Sequence, residues 1–252
     1  ASRFFLSLED DLFRVFGAEK AKGIMNAFRL SDDIPIESKA VTDALSKVQQ
    51  AAEAYFASIR RSVSEYDQVL NAQRMALYAA RQKFLFASRD GLEGLIEGYC
   101  RDTVGDIVPN YLGDKSDTEG LSNKLKQFFP TVPGDLVQAE KLKSCPEKEL
   151  LKHCEMAAVE AWKIKCNSLD EIRTGLGMET ARYLSLTQLD DLWCEHLDRM
   201  DLLKESVGME VFRGNDPITE YKDRGRELFK DLLGNARRNA LYSAFVYEPR
   251  AK

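Results

Sequence analysis

Of the two histidines in the 252 residues, His196 has the company that chemistry would need: it follows Glu195 and stands three residues after Trp193. A histidine beside a carboxylate can act as a general base, because its ordinary pKa of about 6.5 lets it take up and return a proton near neutrality. No nucleophile elbow accompanies it, so the expectation is a histidine packed within a helix hairpin. Cys145, His153 and Cys154 form the second cluster, but neighbouring residues on a helix cannot easily ligate one metal together. The other cysteines are Cys100, Cys166 and Cys194, and no CxxC occurs. The thiols therefore read as structural, in a reducing compartment, and no metal site is expected. The acidic pairs Asp10-Asp11, Asp32-Asp33 and Asp190-Asp191 project in different directions on a helix, and are expected to be solvated faces or caps. Gly175-Leu176-Gly177 lacks the third glycine of a dinucleotide fingerprint and reads as a hinge, and there is no G-x-x-x-x-G-K-[ST]. The chain alone is thus expected not to be an enzyme, with no catalytic, cofactor-binding or metal-binding residue.

Composition narrows the partners. With 44% hydrophobic and 31% charged residues the chain can build cores and remain helix-rich. Its net charge of −5 argues against nucleic acid, since neutralising phosphates needs a basic surface. No run approaches the ~20 apolar residues that span a bilayer. Ala1 to Asp11 holds no signal-peptide core, and a start on Ala1 suggests a processed chain or an excised fragment.

The helices that must position any such groups can be read from their periodicity. Ser38 to about Ser88 contains no Gly and no Pro. Val41, Leu45, Val48, Ala52, Tyr55, Ile59, Val63, Tyr66, Leu70, Gln73, Leu77, Ala80 and Phe84 recur every ~3.6 residues, with Gln73 the one polar intruder. At ~1.5 Å per residue this is a rod of about 75 Å, longer than a globular domain needs. A single stripe cannot bury itself, so later parts of the chain, or domains absent from it, must lie along it. Before the rod, Phe4-Phe5-Leu6 could end a buried strand. A short helix through Leu12, Phe13, Val15 and Phe16 stops at Gly17, a second covers Ala18–Phe28, and Ser31 to Pro35 is a turn. After the rod, Asp90 with Glu93 is a capping box opening a helix through Leu92, Leu95, Ile96, Tyr99 and Ile107. A loop at Pro109, Asn110, Gly113 and Asp114 leads to a short helix through Leu121, Leu125, Phe128 and Phe129. Ser144, Pro146 and Glu147 announce a helix to about Lys165, with Leu150, Leu151, Cys154, Ala158, Ala161 and Ile164 as its face. Gly175 and Gly177 then break the chain. Met178 to Val207 forms a helix whose face carries Leu186, Leu189, Trp193, His196, Leu197, Met200 and Leu203. Asp216 is an N-cap and Pro217 a first position for a last helix to about Phe245, along Tyr221, Leu228, Leu232, Ala236 and Leu241. Two long helices joined by a short loop make an antiparallel hairpin. The fold class is mainly α: one very long scaffold helix, an inserted small helical module and a two-helix hairpin.

Three stretches together resemble one family. Arg3 to Asp10 (Arg-Phe-Phe-Leu-Ser-Leu-Glu-Asp) resembles the segment after the last motor motif of the SecA preprotein-translocase ATPases. Glu65-Tyr66-Asp67-Gln68-Val69-Leu70-Asn71-Ala72-Gln73-Arg74 is similar to their Glu-Tyr-Asp-x-Val-x-Asn-x-Gln-Arg signature. Leu189 to Asp201 is similar to their Leu-Asp-x-Leu-Trp-x-Glu-His-Leu-x-x-Met-Asp, and Asp216-Pro217 with Glu220-Tyr221-Lys222 continues it. The resemblance implies the end of a motor region and a connector over 1–35, a scaffold helix over 36–89, a helical wing over 90–177, and a two-helix finger with C-terminal tail over 178–252. It also implies motor contact through Glu65, Tyr66, Asp67, Asn71, Gln73 and Arg74. Finger packing would fall to Trp193, His196, Leu197, Met200 and Tyr221, and preprotein or channel contact at the finger tip to Val207, Met209, Glu210, Phe212 and Arg213. The implied partners are the protein's own absent nucleotide-binding and preprotein-crosslinking domains, a SecY/SecE-type channel, the preprotein and an anionic membrane surface. No cofactor belongs to this chain, and ATP with Mg2+ belongs to the absent motor. Arg237 to Phe245 resembles the cyanobacterial and plastid branch, which implies the chloroplast stroma and thylakoid periphery, the alternative being the bacterial cytoplasm and inner-membrane periphery. The tip departs from the family pattern: Phe212 stands where a tyrosine is usual, and Glu210 reverses a charge. That departure favours the competing expectation, a motor-less helical scaffold in another assembly.

Overall fold

The computed structural model describes residues 7, 10–17, 23, 39–112, 117–209 and 216–249, with side chains omitted at 12, 13, 40, 41, 147 and 148. Among them every regular element is helical: α1 (Asp11–Phe16), α2 (Lys39–Phe86), α3 (Arg89–Ile107), a 3-10 turn (Val108–Tyr111), α4 (Thr118–Phe128), α5 (Ala139–Ser144), α6 (Glu147–Ile172), α7 (Leu176–Gly208) and α8 (Pro217–Val246). The expected strand at Phe4-Phe5-Leu6, the turn at Ser31–Pro35 and, apart from Gly23, the helix at Ala18–Phe28 lie outside the described residues.

The chain divides into two compact units, residues 1–68 and 69–252, and α2 contributes to each. In the first, Phe16 at the end of α1 sets its ring 5.5 Å from Tyr55 and 5.8 Å from Phe56. Val48 and Ala52 are buried. The apolar stripe does not stay covered through this part of α2: Tyr55, Ile59 and Val63 are 53, 44 and 49% exposed. The stripe was expected to need cover from later parts of the chain or from domains absent from it, and at these three positions no described residue buries it.

In the second unit the stripe is buried at Gln73, Leu77 and Phe84, and Leu77 and Phe84 join a core that also takes in Leu92, Cys100, Trp162, Leu189 and Phe245. This core forms because helices α3 to α8 each bring an apolar face and none can cover it alone. Helix α3 begins two residues earlier than the capping box suggests, because Ser88 is the N-cap and its hydroxyl accepts from the Gly91 amide at 3.2 Å. Helix α6 runs to Ile172, well past Lys165, and α5 was not legible in the sequence. The break after α6 falls at Gly175 (φ +85°), the N-cap of α7, whereas Gly177 lies inside that helix. Asp216 caps α8 by accepting from the Thr219 amide at 3.2 Å, with Pro217 in the first turn. His196 meets Phe229, while a Cβ on Gly225 would meet the Met200 side chain, so α7 and α8 run antiparallel. Helix α8 is held to α3 by guanidinium contacts: Arg237 to Asp102 (3.3 Å) and Asp106, and Arg238 to Asp106 (2.9 Å).

Candidate functional junction between the long helix and the hairpin

The polar intruder in the α2 stripe has a structural explanation. Gln73 is buried and faces the hairpin, where its Nε2 donates to the Gly225 carbonyl at 2.9 Å. Its Oε1 accepts from His196 Nε2 at 2.9 Å, which fixes the proton of the neutral ring on that nitrogen. The imidazole lies 5.5 Å from the Trp193 ring and 5.8 Å from Phe229. Gly225 admits this approach, since a Cβ there would stand 2.9 Å from Met200 Cε and 3.5 Å from Gln73 Nε2. Three helices thus meet through two hydrogen bonds in an otherwise apolar contact. Eight residues further along α2, Arg81 grips Asp190 of α7 through Nε (2.8 Å) and an Nη (3.1 Å), and the carboxylate raises the guanidinium pKa above its usual value. Asp190 is therefore an ion-pair partner, which corrects its reading as a merely solvated acid. Where α2 ends, an Arg182 Nη donates to the Ala87 carbonyl.

Burial, with the Arg199 charge second, holds the His196 pKa below its ordinary value. The sign follows from the unfolded chain, which binds this proton at about pH 6.5 while the native state does not. Stability is full above that pH and declines as pH falls through the window between the two values. The thermal midpoint is expected to drop between neutral and mildly acidic pH, and a His196→Gln variant should lose that part of the dependence. An unchanged pH profile in the variant would show that His196 does not set it. For the Arg81–Asp190 pair, with 38 and 47% of each side chain exposed, Asp190→Ala is expected to cost only about 0.5–1 kcal/mol. The loss should shrink in concentrated salt, and urea denaturation at low and high ionic strength checks it.

The other candidates fall in several places. Trp193, Met200 and Tyr221 are buried and Leu197 is half-buried, all in the hairpin. Glu65, Tyr66 and Arg74 are half-buried, while Asp67 and Asn71 are exposed. Val207 is fully buried, so its side chain belongs to the packing and not to an exposed tip, whereas Met209 is exposed. Glu210, Phe212 and Arg213 lie outside the described residues. His153 donates from Nε2 to the Leu136 carbonyl at 2.7 Å, and burial pushes the Cys154 thiol up to about 11, so both are engaged in packing. Cys100 is pushed up to about 12 for the same reason. Gly225 and Arg81 were missed in the sequence. A glycine inside an otherwise regular helix was the available signal for the first. Nothing local marks Arg81, whose partner is 109 residues away.

A long helix pinned to an antiparallel hairpin, with a packed helical module beside it, defines a helical scaffold. No described helix is long and apolar enough to cross a membrane. Residues 35–248 match the family model described as the SecA wing and scaffold domain, and residues 1–33 that of the SecA P-loop domain. The chain belongs to the SecA family. It is 39% identical over 256 residues to the protein translocase subunit SecA of Prochlorococcus marinus strain MIT 9313, covering 100% of this chain and 27% of that protein. The SecA subunits of Synechococcus sp. strain WH7803 (38% over 254 residues, 99% and 26%) and Crocosphaera subtropica (37% over 257 residues, 100% and 27%) are similarly related. The chain spans about a quarter of the length of the curated relatives it matches. The P-loop match comes without a G-x-x-x-x-G-K-[ST] run, which the sequence does not contain.

Proposed function

We propose that this chain is the scaffold part of an ATP-driven protein translocase, in which α2 passes movement of a motor to the α7–α8 hairpin and so to a preprotein in a SecY-type channel. The observation that carries this reading is the family match over 35–248, joined to a geometry that fixes α2 to both hairpin helices. In this reading residues 90–177 are the wing and 178–252 the finger and tail. The finger tip, with Met209, Glu210, Phe212 and Arg213, faces preprotein and channel. The exposed Tyr55, Phe56, Ile59 and Val63 offer an apolar face to the motor and crosslinking domains of the longer protein. In this reading ATP and Mg2+ are bound by those domains, which is supported by the sequence carrying no G-x-x-x-x-G-K-[ST] run to cradle phosphates. The proposed location is the chloroplast stroma and thylakoid periphery, on the branch resemblance of Arg237 to Phe245; the alternative, the bacterial cytoplasm and inner-membrane periphery, is the one that the cyanobacterial relatives support.

The test is a chimera in which this chain replaces the matching region of a cyanobacterial SecA, assayed for ATP-dependent movement of a preprotein into channel-containing vesicles. Transport above that of the deleted protein is expected. A chimera that folds and hydrolyses ATP yet moves no preprotein would overturn the reading. The tip sequence favours a second reading, a scaffold serving a different assembly. It would gain ground if the native protein migrated without motor domains and captured partners other than a channel through residues 207–217.

A further inference from the structure

We infer that Gln73, His196 and Gly225 form a register pin, positioning residues that make the hairpin follow α2 without slipping along it. Their role in transport rests on the function proposed above, while the pin itself rests on geometry alone. Packed helices can slide past each other in steps of a turn, because apolar ridges find equivalent grooves one turn on. The Leu77 and Phe84 stripe of α2 is of that permissive kind. Two directional bonds are not. A slide of one turn moves a side chain by ~5.4 Å, which takes both 2.9 Å bonds out of reach. The imidazole and the amide would then stand unpaired among Trp193, Phe229 and Met200, where burial penalises them. Gln73 bonds one helix of the hairpin through each end of its amide, to His196 on α7 and to Gly225 on α8, so neither helix can shift alone. Gly225 completes the device by exposing a carbonyl in the middle of a helix.

The experiment separates register from stability. Gln73→Leu with His196→Phe removes both side-chain partners together, so no donor is orphaned on His196 and the fold is retained. The reporter is Arg81→Cys with Asp190→Cys in a Cys194→Ser background of this same chain, bridged by a short bis-maleimide in place of the arginine side chain whose end makes the 2.8 Å contact. Near-native helix content and midpoint are expected for the double variant, with the yield of the 81–190 crosslink lowered about tenfold, the change that a coupling of ordinary size produces. His196→Gln, which keeps a donor for Gln73, is expected to preserve the yield. In the full-length protein that carries this region, the double variant should move several-fold less preprotein for each ATP hydrolysed. An unchanged crosslink yield overturns the pin, whereas a lowered yield with an unchanged ATP cost supports the pin and overturns its role in transport. A wild-type full-length protein that moves no preprotein defeats the translocase reading instead, and leaves the crosslink to judge the pin.

Discussion

Trp162→Ala lowers the stability of the second unit by about 3–5 kcal/mol, a large share of the 5–15 kcal/mol that domains of this kind possess. The side chain is fully buried on α6, with its ring edge-on to Phe245 of α8 at 5.9 Å and 83°. Phe245 in turn stands edge-on to Phe129, just after α4, at 5.4 Å and 87°. Removing the indole opens a cavity where three helical elements converge, and flanking helices cannot collapse into it without breaking the second aromatic contact. Three residues further along α6, Lys165 donates to the Tyr247 carbonyl at 2.9 Å and fixes the exit of α8, so the loss is expected to loosen the C-terminal turn as well. Urea denaturation followed by helical circular dichroism measures the effect, with an unchanged slope showing that stability and not compactness has moved. Among the described residues the indole N–H has no hydrogen-bond partner, so Trp162→Phe is expected to lose clearly less than Trp162→Ala. Equal losses in the two variants would place the effect outside ring packing.

What the sequence displays and what it conceals follow from the range of the forces involved. The ends of α8 were legible because a cap acts within three residues: Asp216 reaches Thr219, and Pro217 needs no amide partner in the first turn. The hairpin was legible because its apolar positions repeat at the helical period. Helix α5 was not, because six residues give too little periodicity to separate from a turn. What covers each part of the α2 stripe was not legible, because periodicity records which residues share a face and is silent on what lies against it. Tyr55 and Phe84 occupy the same pattern and differ widely in exposure. At the junction, Gln73 and His196 were each visible as the odd residue on an apolar face. Their bond was not, since 123 residues separate them and only the folded hairpin brings them together. Gly225 carried the weakest signal of the three, because its part is played by an absent side chain and a backbone carbonyl.

Gly177→Ala is the second large effect, an expected loss of about 1–3 kcal/mol despite the better helix propensity of alanine. A Cβ at this position would stand 2.5 Å from Cys166 Sγ, 3.0 Å from the Cys166 carbonyl oxygen and 3.1 Å from its Cα. The thiol can turn aside, but the carbonyl and Cα belong to α6, so the two helix axes must part. Parting them also stretches the corner that sets the direction of α7: the Gly177 amide donates to Asp170 Oδ1 at 2.9 Å, and Asp170 Oδ2 accepts from Arg89 at 3.2 Å. Cys166→Ala combined with Gly177→Ala should restore only part of the loss, because it relieves the sulfur and leaves the backbone contact. Complete restoration would mean that the thiol alone enforces the glycine. Gly175→Ala makes the contrast, for among the described residues nothing beyond its chain neighbours lies within 4 Å of its would-be Cβ, and its cost is that of a left-handed backbone, about 1–2 kcal/mol. Protease sensitivity at residues 173–176 distinguishes the two: it should rise with Gly177→Ala, where the helices are pushed apart, more than with Gly175→Ala, where only the connecting residue is strained. The angle at which α7 leaves the α3–α6 module is then set by close backbone packing at Gly177, and the hairpin direction that follows from it depends on a residue with no side chain to substitute.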